Sequence, residues 1–183
     1  MKRELLAGLI LLAMAGGLYW HNLSHQPEQV RPLGEHEPDF VARAMKTRSY
    51  DLNGRLNAEV AADTMRHYQQ KQYTEFERPV YLVYPEDSPA IWKVVADNGA
   101  LQDNRYLSLA NNVVITLIEP DKPINTIKTE QLTLDLDTMV MTNEVALQAE
   151  GIDFTMTAVG LHADLNQNHI HLKQKVVSTY EVQ

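Results

Sequence analysis

Apolar and polar residues alternate with a period of two along most of the chain from Ser49 onward. This is the pattern of β-strands that bury one face. The stretch QLTLDLD, which begins at Gln131, is an example, with leucine at every second position and threonine or aspartate between the leucines. Breaks rich in proline, glycine and asparagine separate the alternating stretches. The pattern predicts an all-β domain over residues 48–183.

Two segments near the start of this domain differ in how clearly the sequence predicts their secondary structure. Asn53-Gly54 stands between two alternating runs and predicts a hairpin, because both residues tolerate a positive φ. The alanine, methionine and glutamine content of residues 58–70 favours a helix. We assign that segment to a strand, because all the later elements have the strand pattern. Residues 24–47 contain three prolines and little apolar periodicity, and they predict a tether.

A similar ten-residue pattern occurs four times, beginning at Tyr73, Tyr106, Thr138 and His169. Successive copies start 33, 32 and 31 residues apart. In each copy an apolar residue precedes a short polar break, and a valine follows four positions later. The Ala-Asn-Asn break in the second copy has the composition of a hairpin turn. The repeat therefore predicts stacked units, each of about four short strands.

A unit of this size cannot bury its apolar face alone, so stacking must align the apolar positions into stripes. The first predicted inward stripe consists of Phe76, Leu107, Leu109, Met139, Met141, Ile170 and Leu172. The second consists of Val80, Leu82, Val113, Ile115, Val145, Leu147 and Val176. Facing stripes are compatible with an ordinary packed core, or with an open roll that receives a long apolar ligand.

A stack of strands has an edge at each end, and edges expose unpaired backbone groups. The last alternating run, KVVSTYEVQ, begins at Lys175 and has no proline to blunt it. Two interpretations stay open: a neighbouring strand covers this run, or the run docks another sheet by adding a strand to it.

The N-terminal region predicts a membrane anchor over residues 5–23. Lys2 and Arg3 precede sixteen uncharged residues that end at Tyr19-Trp20, a position typical of an interfacial aromatic belt. The sequence AMAG, which begins at Ala13, is also compatible with a signal-peptidase site. The apolar run continues beyond that site, which favours an uncleaved anchor with residues 1–4 in the cytoplasm.

Charge and cysteine content exclude several classes of function. The net charge is −8 and the body holds no cluster of basic residues, which disfavours nucleic-acid binding. The chain has no cysteine, so disulfides, thiolate metal sites, a cysteine nucleophile and lipoprotein acylation are excluded.

Candidate catalytic groups are few and do not form a set. His169 and His171 would share one strand face, as a metal pair requires, and His162, Asp164 and Glu181 lie nearby in the sequence. A solvated outer face explains the histidines equally well, because Ile170 and Leu172 occupy the inner side. No G-x-S-x-G motif or phosphate-binding glycine loop is present. We expect neither enzymatic activity nor a metal or other cofactor.

Specific short sequences identify a resemblance that covers almost the whole chain. They are YDLNG at Tyr50, FERPV at Phe76, WKVVADNGALQDNRYLSL at Trp92, AEGIDF at Ala149 and VSTYE at Val177. With the basic tip, the single anchor and the tether, their order and spacing resemble the LptC family of lipopolysaccharide-export proteins.

The resemblance implies an open, twisted antiparallel β-jellyroll like that of OstA and LptA, behind one N-terminal transmembrane helix. It implies a single-pass protein of the inner membrane, with its N-terminus cytoplasmic and its β-domain periplasmic. The expected function is to receive lipopolysaccharide from the ABC transporter complex LptB2FG and to pass it to LptA through an apolar groove, without chemistry of its own. The transmembrane helices of LptF and LptG are expected to contact the anchor.

The resemblance also turns particular residues into site predictions. The first inward stripe, from Phe76 to Leu172, becomes the acyl-chain groove. The edge expected to bind LptA consists of Val176, Val177, Ser178, Thr179, Tyr180, Glu181 and Val182. The edge expected to bind the LptF jellyroll consists of Ser49, Tyr50, Asp51 and Leu52. Gly54 and Gly151 are expected to hold turns, so that bulky replacements would damage assembly.

Two rival classes of function remain compatible with the sequence. One is a bitopic periplasmic scaffold or chaperone that binds protein partners without lipid. The other is a cell-surface hydrolase that depends on His169 and His171.

Overall fold

The structure, a computed structural model, describes residues 37–86, 90–118 and 124–180. These residues form eleven β-strands and one short 3-10 turn, Gln69–Lys71. The strands are β1 Phe40–Tyr50, β2 Leu56–Tyr68, β3 Tyr73–Glu77, β4 Val80–Val83, β5 Ile91–Val95, β6 Asn98–Gln102, β7 Tyr106–Ile118, β8 Ile124–Asp135, β9 Val140–Gly151, β10 Phe154–Asp164 and β11 His169–Tyr180. The predicted tip 1–4 and anchor 5–23 lie outside the described residues. Within the described ranges, no helix has the length and apolar content needed to cross a membrane.

All strands belong to one sheet, and every pair is antiparallel. The prediction of an all-β antiparallel fold is therefore confirmed. β2 pairs with β1 along one edge, and with β4 and then β3 along the other. β3 pairs with β6, and β4 pairs with β5. Both β5 and β6 then pair with β7. From β7 to β11 each strand pairs with the next.

The polar break at Ala-Asn-Asn is a kink within one strand, so the prediction of a hairpin at this position is wrong. β7 continues through this break, where Asn111 and Asn112 have φ of 65° and 50°. The pairing of β7 with β8 shifts register between Ala110 and Val113, which is a β-bulge. The first repeat holds four short strands, β3 to β6, as predicted, whereas the second and third repeats each hold two long strands.

Comparable irregularities occur in the strands on both sides of β7. Arg78, between β3 and β4, has φ of 47°, and its amide donates to the carbonyl oxygen of Asp97 at 2.8 Å. The amide of Asp97 donates in turn to the carbonyl oxygen of Asn111 at 3.0 Å. In β10 and β11 the positive φ falls at Gly160 and Lys175. Because bulges bend strands, neighbouring breaks of this kind fold the sheet back on its own apolar face.

The bulge between β8 and β9 is stabilised by buried polar side chains. The hydroxyl of Thr129 donates to the carbonyl oxygen of Ala146 at 2.9 Å. The side-chain amide of Asn143 donates to Oγ1 of Thr129 at 2.7 Å. Both side chains are buried, and their bonds lie where the pairing of β8 with β9 shifts register between Thr129 and Thr133.

Side chains from both halves of the kinked strands meet in one hydrophobic core. Its largest fully buried members include Trp92, Leu107, Ile115, Leu132, Leu134, Met141 and Leu161. The predicted second stripe is partly wrong. Tyr81 and Val83 are buried in β4, whereas Val80 and Leu82 are only half-buried. The irregular backbone at Arg78-Pro79 offsets the alternation by one residue. In the same stripe Val145 is half-buried and Val176 is exposed.

The boundary of the predicted tether also differs from the structure. Residues 40–47 belong to β1, which pairs with β2 over almost its whole length, so the β-domain includes Phe40 rather than starting at residue 48. The alternation of β1 is hard to read, because Ala44 has φ of 48° and shifts the inward position from Ala42 to Met45. The assignment of residues 58–70 to a strand is confirmed over β2.

Candidate functional site

The seven residues predicted to line a groove occupy three different environments. Leu107 and Leu109 on β7 and Met141 on β9 are at most 2% exposed and pack in the core. Ile170 and Leu172 on β11 are partly buried against that core, near the last edge of the sheet. Phe76 and Met139 contact open space of the roll, as described next. The predicted stripe is thus not one continuous open surface.

A cavity of about 720 Å³ lies where β1 and β2 meet β3, β4 and the turn before β9. Its volume is in the range of small-molecule sites in proteins. Its apolar lining includes Phe40, Ala42, Met45, Met65, Phe76, Tyr81, Val83, Leu101, Leu136 and Met139. Among the seven predicted groove residues, Phe76 and Met139 are brought together on this cavity.

The methionine content of this wall suits a ligand of irregular shape, because methionine side chains adapt to their neighbours. The ring of Tyr81 packs edge-to-face on Phe76, with centroids 6.0 Å apart. Burial raises the pKa of Tyr81, so the phenol stays protonated. Lys46, Asn104 and Asp137 add polar groups to the lining, and all three are exposed. The cavity therefore combines an apolar interior with a polar mouth.

The sequence-based prediction missed the β1 side of this cavity. Phe40, Ala42 and Met45 lay in the predicted tether, and each lines the cavity. The period-two spacing of Phe40 and Ala42 was the available signal, and the kink at Ala44 concealed its continuation at Met45.

β1 forms one edge of the sheet, because within the described residues it pairs only with β2. Of the four residues predicted for the first docking edge, Ser49 and Tyr50 end β1, and Tyr50 is exposed. Asp51 and Leu52 lie in the turn instead. Oδ1 of Asp51 accepts from the amides of Asn53 and Arg55, both at 2.8 Å. These hydrogen bonds lower the pKa of Asp51, and the bond from the Arg55 amide has the largest effect. The carboxylate of Asp51 thereby closes the turn.

β11 forms the opposite edge and pairs with β10 alone in the part of the chain that the structure describes. Val176, Val177, Ser178, Thr179 and Tyr180 all lie on this strand and are exposed. The ring of Tyr180 contacts Phe154, with centroids 6.1 Å apart. Glu181 and Val182, also predicted for this edge, lie outside the described residues.

The two glycines predicted at turns have different backbones. Gly54 lies in the turn between β1 and β2 with φ of 78°, and a Cβ atom there would meet nothing within 4 Å. Gly151 ends β9, and among the described glycines only Gly54 and Gly160 have positive φ. At Gly160 a Cβ atom would lie 2.8 Å from Cδ of Lys173.

The histidines considered as metal ligands lie on an exposed hairpin. His162 is directly opposite His171, and Asp164 is opposite His169, across β10 and β11. No three histidine, aspartate or glutamate side chains in residues 37–86, 90–118 and 124–180 come close enough to share a metal ion.

Comparison with known proteins agrees with this architecture. The family model described as "Lipopolysaccharide-assembly, LptC-related" matches residues 8–181. The chain is 24% identical over 151 residues to the lipopolysaccharide export system protein LptC of Escherichia coli K12, which covers 82% of this chain and 79% of that protein. The protein of the same name from Haemophilus influenzae is 25% identical over 191 residues, covering 94% of this chain and 91% of the relative. This chain, which the family model matches over nearly its full length, belongs to the LptC-related family of lipopolysaccharide-assembly proteins.

Proposed function

We propose that this chain takes part in lipopolysaccharide export, receiving lipopolysaccharide from the LptB2FG complex and passing it to LptA without chemistry of its own. One observation carries the proposal. An apolar cavity lies within a sheet whose first and last strands each leave one edge unpaired among the described residues. A cavity suits acyl chains, and a free edge at each end suits one donor and one acceptor of the lipid.

The physical role of such a protein is to keep acyl chains out of water. Each buried CH₂ group is worth about 0.8 kcal/mol, so a lipid with several acyl chains meets a large barrier in an aqueous compartment. An apolar cavity lowers that barrier without a chemical step. In this proposal the energy for extracting the lipid comes from the ATP-driven partner, and the β-domain supplies only the path.

Photo-crosslinking in lipopolysaccharide-producing cells tests the path. A photoreactive amino acid at Phe76 or Met139, both on the cavity, should capture lipopolysaccharide. The same amino acid at Thr133, on the outer face of β8, should not. Labelling confined to Thr133 would contradict the proposal. The remaining predicted positions, Leu107, Leu109, Met141, Ile170 and Leu172, extend the scan along the stripe and report how far the lipid travels.

The hand-over to LptA is proposed to use β11. Removing residues 176–183 takes away the exposed half of this strand and should abolish LptA capture in a pull-down assay. The circular dichroism spectrum should keep its β-sheet signal, because the deleted side chains contribute little to the core. Unchanged LptA binding by the truncated chain would refute this assignment.

At the other end, β1 is proposed to pair with the LptF jellyroll, with Ser49 and Tyr50 on the contact. We further propose that the anchor over residues 5–23 holds the chain in the inner membrane, beside the transmembrane helices of LptF and LptG, with the β-domain in the periplasm. Cysteine labelling by a membrane-impermeant reagent tests this topology, because the native chain has no cysteine. Ser178→Cys should react in intact spheroplasts, and Lys2→Cys should react only after lysis.

One observation favours the alternative of a scaffold that binds proteins without lipid. Leu107, Leu109 and Met141 pack in a filled core and leave no open surface at their positions. The two functions separate in the crosslinking scan, since a scaffold gives protein adducts from β1 and β11 and no lipid adduct from Phe76 or Met139.

A further inference from the structure

The hairpin of β10 and β11 brings histidines from two strands together on its outer face. His162 on β10 lies directly opposite His171 on β11. Two positions closer to the turn, Asp164 lies opposite His169. All three histidines are exposed. Residues directly opposite each other on antiparallel strands have Cβ atoms about 4.5–5.5 Å apart, so the side chains of His162 and His171 are neighbours.

The packing of the hairpin fixes the direction of these two side chains. Leu161 and Ala163, the neighbours of His162 along β10, are at most 1% exposed. The two neighbours of His171 along β11 pack against the core. None of these four neighbours has a positive φ, so the alternation of faces is unbroken here. His162 and His171 therefore both point away from the core, on the same face of the sheet.

This pair differs from the one that the sequence suggests. His169 and His171 are two residues apart on one strand, where side chains on the same face lie about 7 Å apart. His162 and His171 lie closer to each other, because they face each other across the paired strands. The pairing of β10 with β11 thus brings together two histidines that are nine residues apart in the sequence.

The charged side chains around the pair do not oppose a bound cation. Asp164, two residues from His162, carries a carboxylate whose Oδ1 accepts from the amide of Gln167 in the following turn. Lys173 is the nearest lysine on β11, and its Nζ pairs with Oε1 of Glu144 on β9. The residue opposite His162 on β9 is a threonine, which adds no charge. Two carboxylates thus stand against one ammonium group, within a chain whose net charge is −8.

Two neutral imidazoles at this spacing are suitable ligands for a divalent transition metal. Imidazole nitrogen suits Zn²⁺, Ni²⁺ and Cu²⁺, whereas Mg²⁺ and Ca²⁺ prefer oxygen. We propose that His162 and His171 form a metal site that bridges β10 and β11, with water completing the coordination. No third histidine, aspartate or glutamate comes close enough among residues 37–86, 90–118 and 124–180. The site is therefore weaker than the zinc sites of enzymes, which have three or more protein ligands.

A metal bound to both strands should hold the last hairpin together. A ligand that binds only the folded state stabilises that state, and the effect grows with the concentration of the ligand. In the part of the chain that the structure describes, β11 pairs with β10 alone, so a bridge between these two strands acts on the least supported end of the sheet. The melting temperature of the wild type should therefore rise as Zn²⁺ is added.

Isothermal titration of the full-length chain with Zn²⁺, in detergent micelles at about pH 7.5, tests the site. His162→Ala and His171→Ala should each weaken binding at the hairpin by at least about tenfold, because loss of an outer-shell partner of a metal ligand already has an effect of that size. Neither variant should keep the full zinc-dependent rise in melting temperature. The histidines within residues 21–36 are common to all variants, so differences between variants report the hairpin.

The matched control is His169→Ala, which removes an exposed histidine from the same face of the same strand. It should bind Zn²⁺ as tightly as the wild type, and circular dichroism should report an intact sheet for every variant. Binding to the wild type should weaken at about pH 5, because imidazole binds metal in its neutral form. Equal losses in His169→Ala and His171→Ala, or wild-type affinity in both His162→Ala and His171→Ala, would overturn the inference. No lipid or partner protein enters these measurements, so their outcome is independent of the proposed transport function.

Discussion

Single residues in this protein act mainly by closing turns and kinks. Arg105, at the turn between β6 and β7, donates from Nη2 to Oδ2 of Asp135 at 2.7 Å and from Nε to Oδ1 at 3.1 Å. The amides of Asp137 and Thr138 also donate to Oδ1 of Asp135. These hydrogen bonds hold the pKa of Asp135 well below its usual range, and the bonds from the Arg105 side chain have the largest effect. One aspartate thus joins two turns next to the cavity.

The low pKa of Asp135 predicts a pH-dependent contribution to stability. A carboxylate whose pKa is lowered by folding stabilises the protein at pH values above its unfolded-state pKa of about 3.9. This stabilisation is lost as the pH falls towards the folded-state pKa. Asp135→Asn should therefore lower the free energy of unfolding at neutral pH, and its difference from the wild type should shrink at about pH 3 and below. Urea denaturation measures both values. Asp153→Asn, in the exposed turn between β9 and β10, is the control. An equal difference for Asp135→Asn at both pH values would contradict this account.

At the scale of the strands, the repeat in the sequence corresponds to different arrangements of strands in different parts of the chain. The spacings of 32 and 31 residues correspond to two long antiparallel strands and their turns, whereas the first spacing of 33 residues contains the four short strands β3 to β6. Polar residues interrupt the alternation at a kink as they do at a turn, and periodicity alone does not distinguish the two. The sequence shows that Asn111 and Asn112 interrupt the alternation. That the chain continues in the same direction is decided by its pairing with β6 and β5 on one side and β8 on the other.

The kink of β7 predicts a backbone-specific mutational effect. Asn111 is exposed with φ of 65°, so its substitution tests conformation rather than packing. Asn111→Val should destabilise the domain by about 1–2 kcal/mol, because a β-branched residue is strained at positive φ. Asn111→Gly should lie within about 1 kcal/mol of the wild type. Chemical denaturation of both variants makes the comparison. A valine variant as stable as the glycine variant would argue against a strained kink at this position.

At the scale of the whole molecule, the interior is filled in its middle and open beside β1 and β2. Met141 and Leu107 have no exposed surface, whereas Phe40 on β1 is 56% exposed and still contributes to the cavity wall. In the proposed function, acyl chains enter at this end. If the proposal holds, β1 is both a docking edge and a wall of the lipid site, so that a partner on β1 would lie next to the cavity.

Filling the cavity should block lipid without unfolding the domain. Ala42→Phe adds a ring at the β1 wall, and we expect a several-fold loss of lipopolysaccharide crosslinking from Met139, because the added volume displaces acyl groups. The melting temperature should stay equal or rise, since the added ring packs in existing space. Ala146→Phe, on the exposed face of β9, is the matched control. Full crosslinking in the Ala42→Phe variant would place the lipid elsewhere.

The sequence by itself determined the all-β class, the hairpin at Asn53-Gly54, the strand over residues 58–68 and the relation to the LptC family. These follow from period-two alternation, from a local turn preference and from motifs in a fixed order. Tertiary structure alone decided that the polar break in β7 is a kink, that Tyr81 rather than Val80 faces inward, and that β1 belongs to the domain. It also decided which inward residues meet a cavity and which meet a packed core. The physical reason is that a strand's face depends on its neighbours' hydrogen bonds, and a single residue at positive φ, such as Ala44 or Arg78, shifts the alternation that a sequence pattern assumes to be continuous.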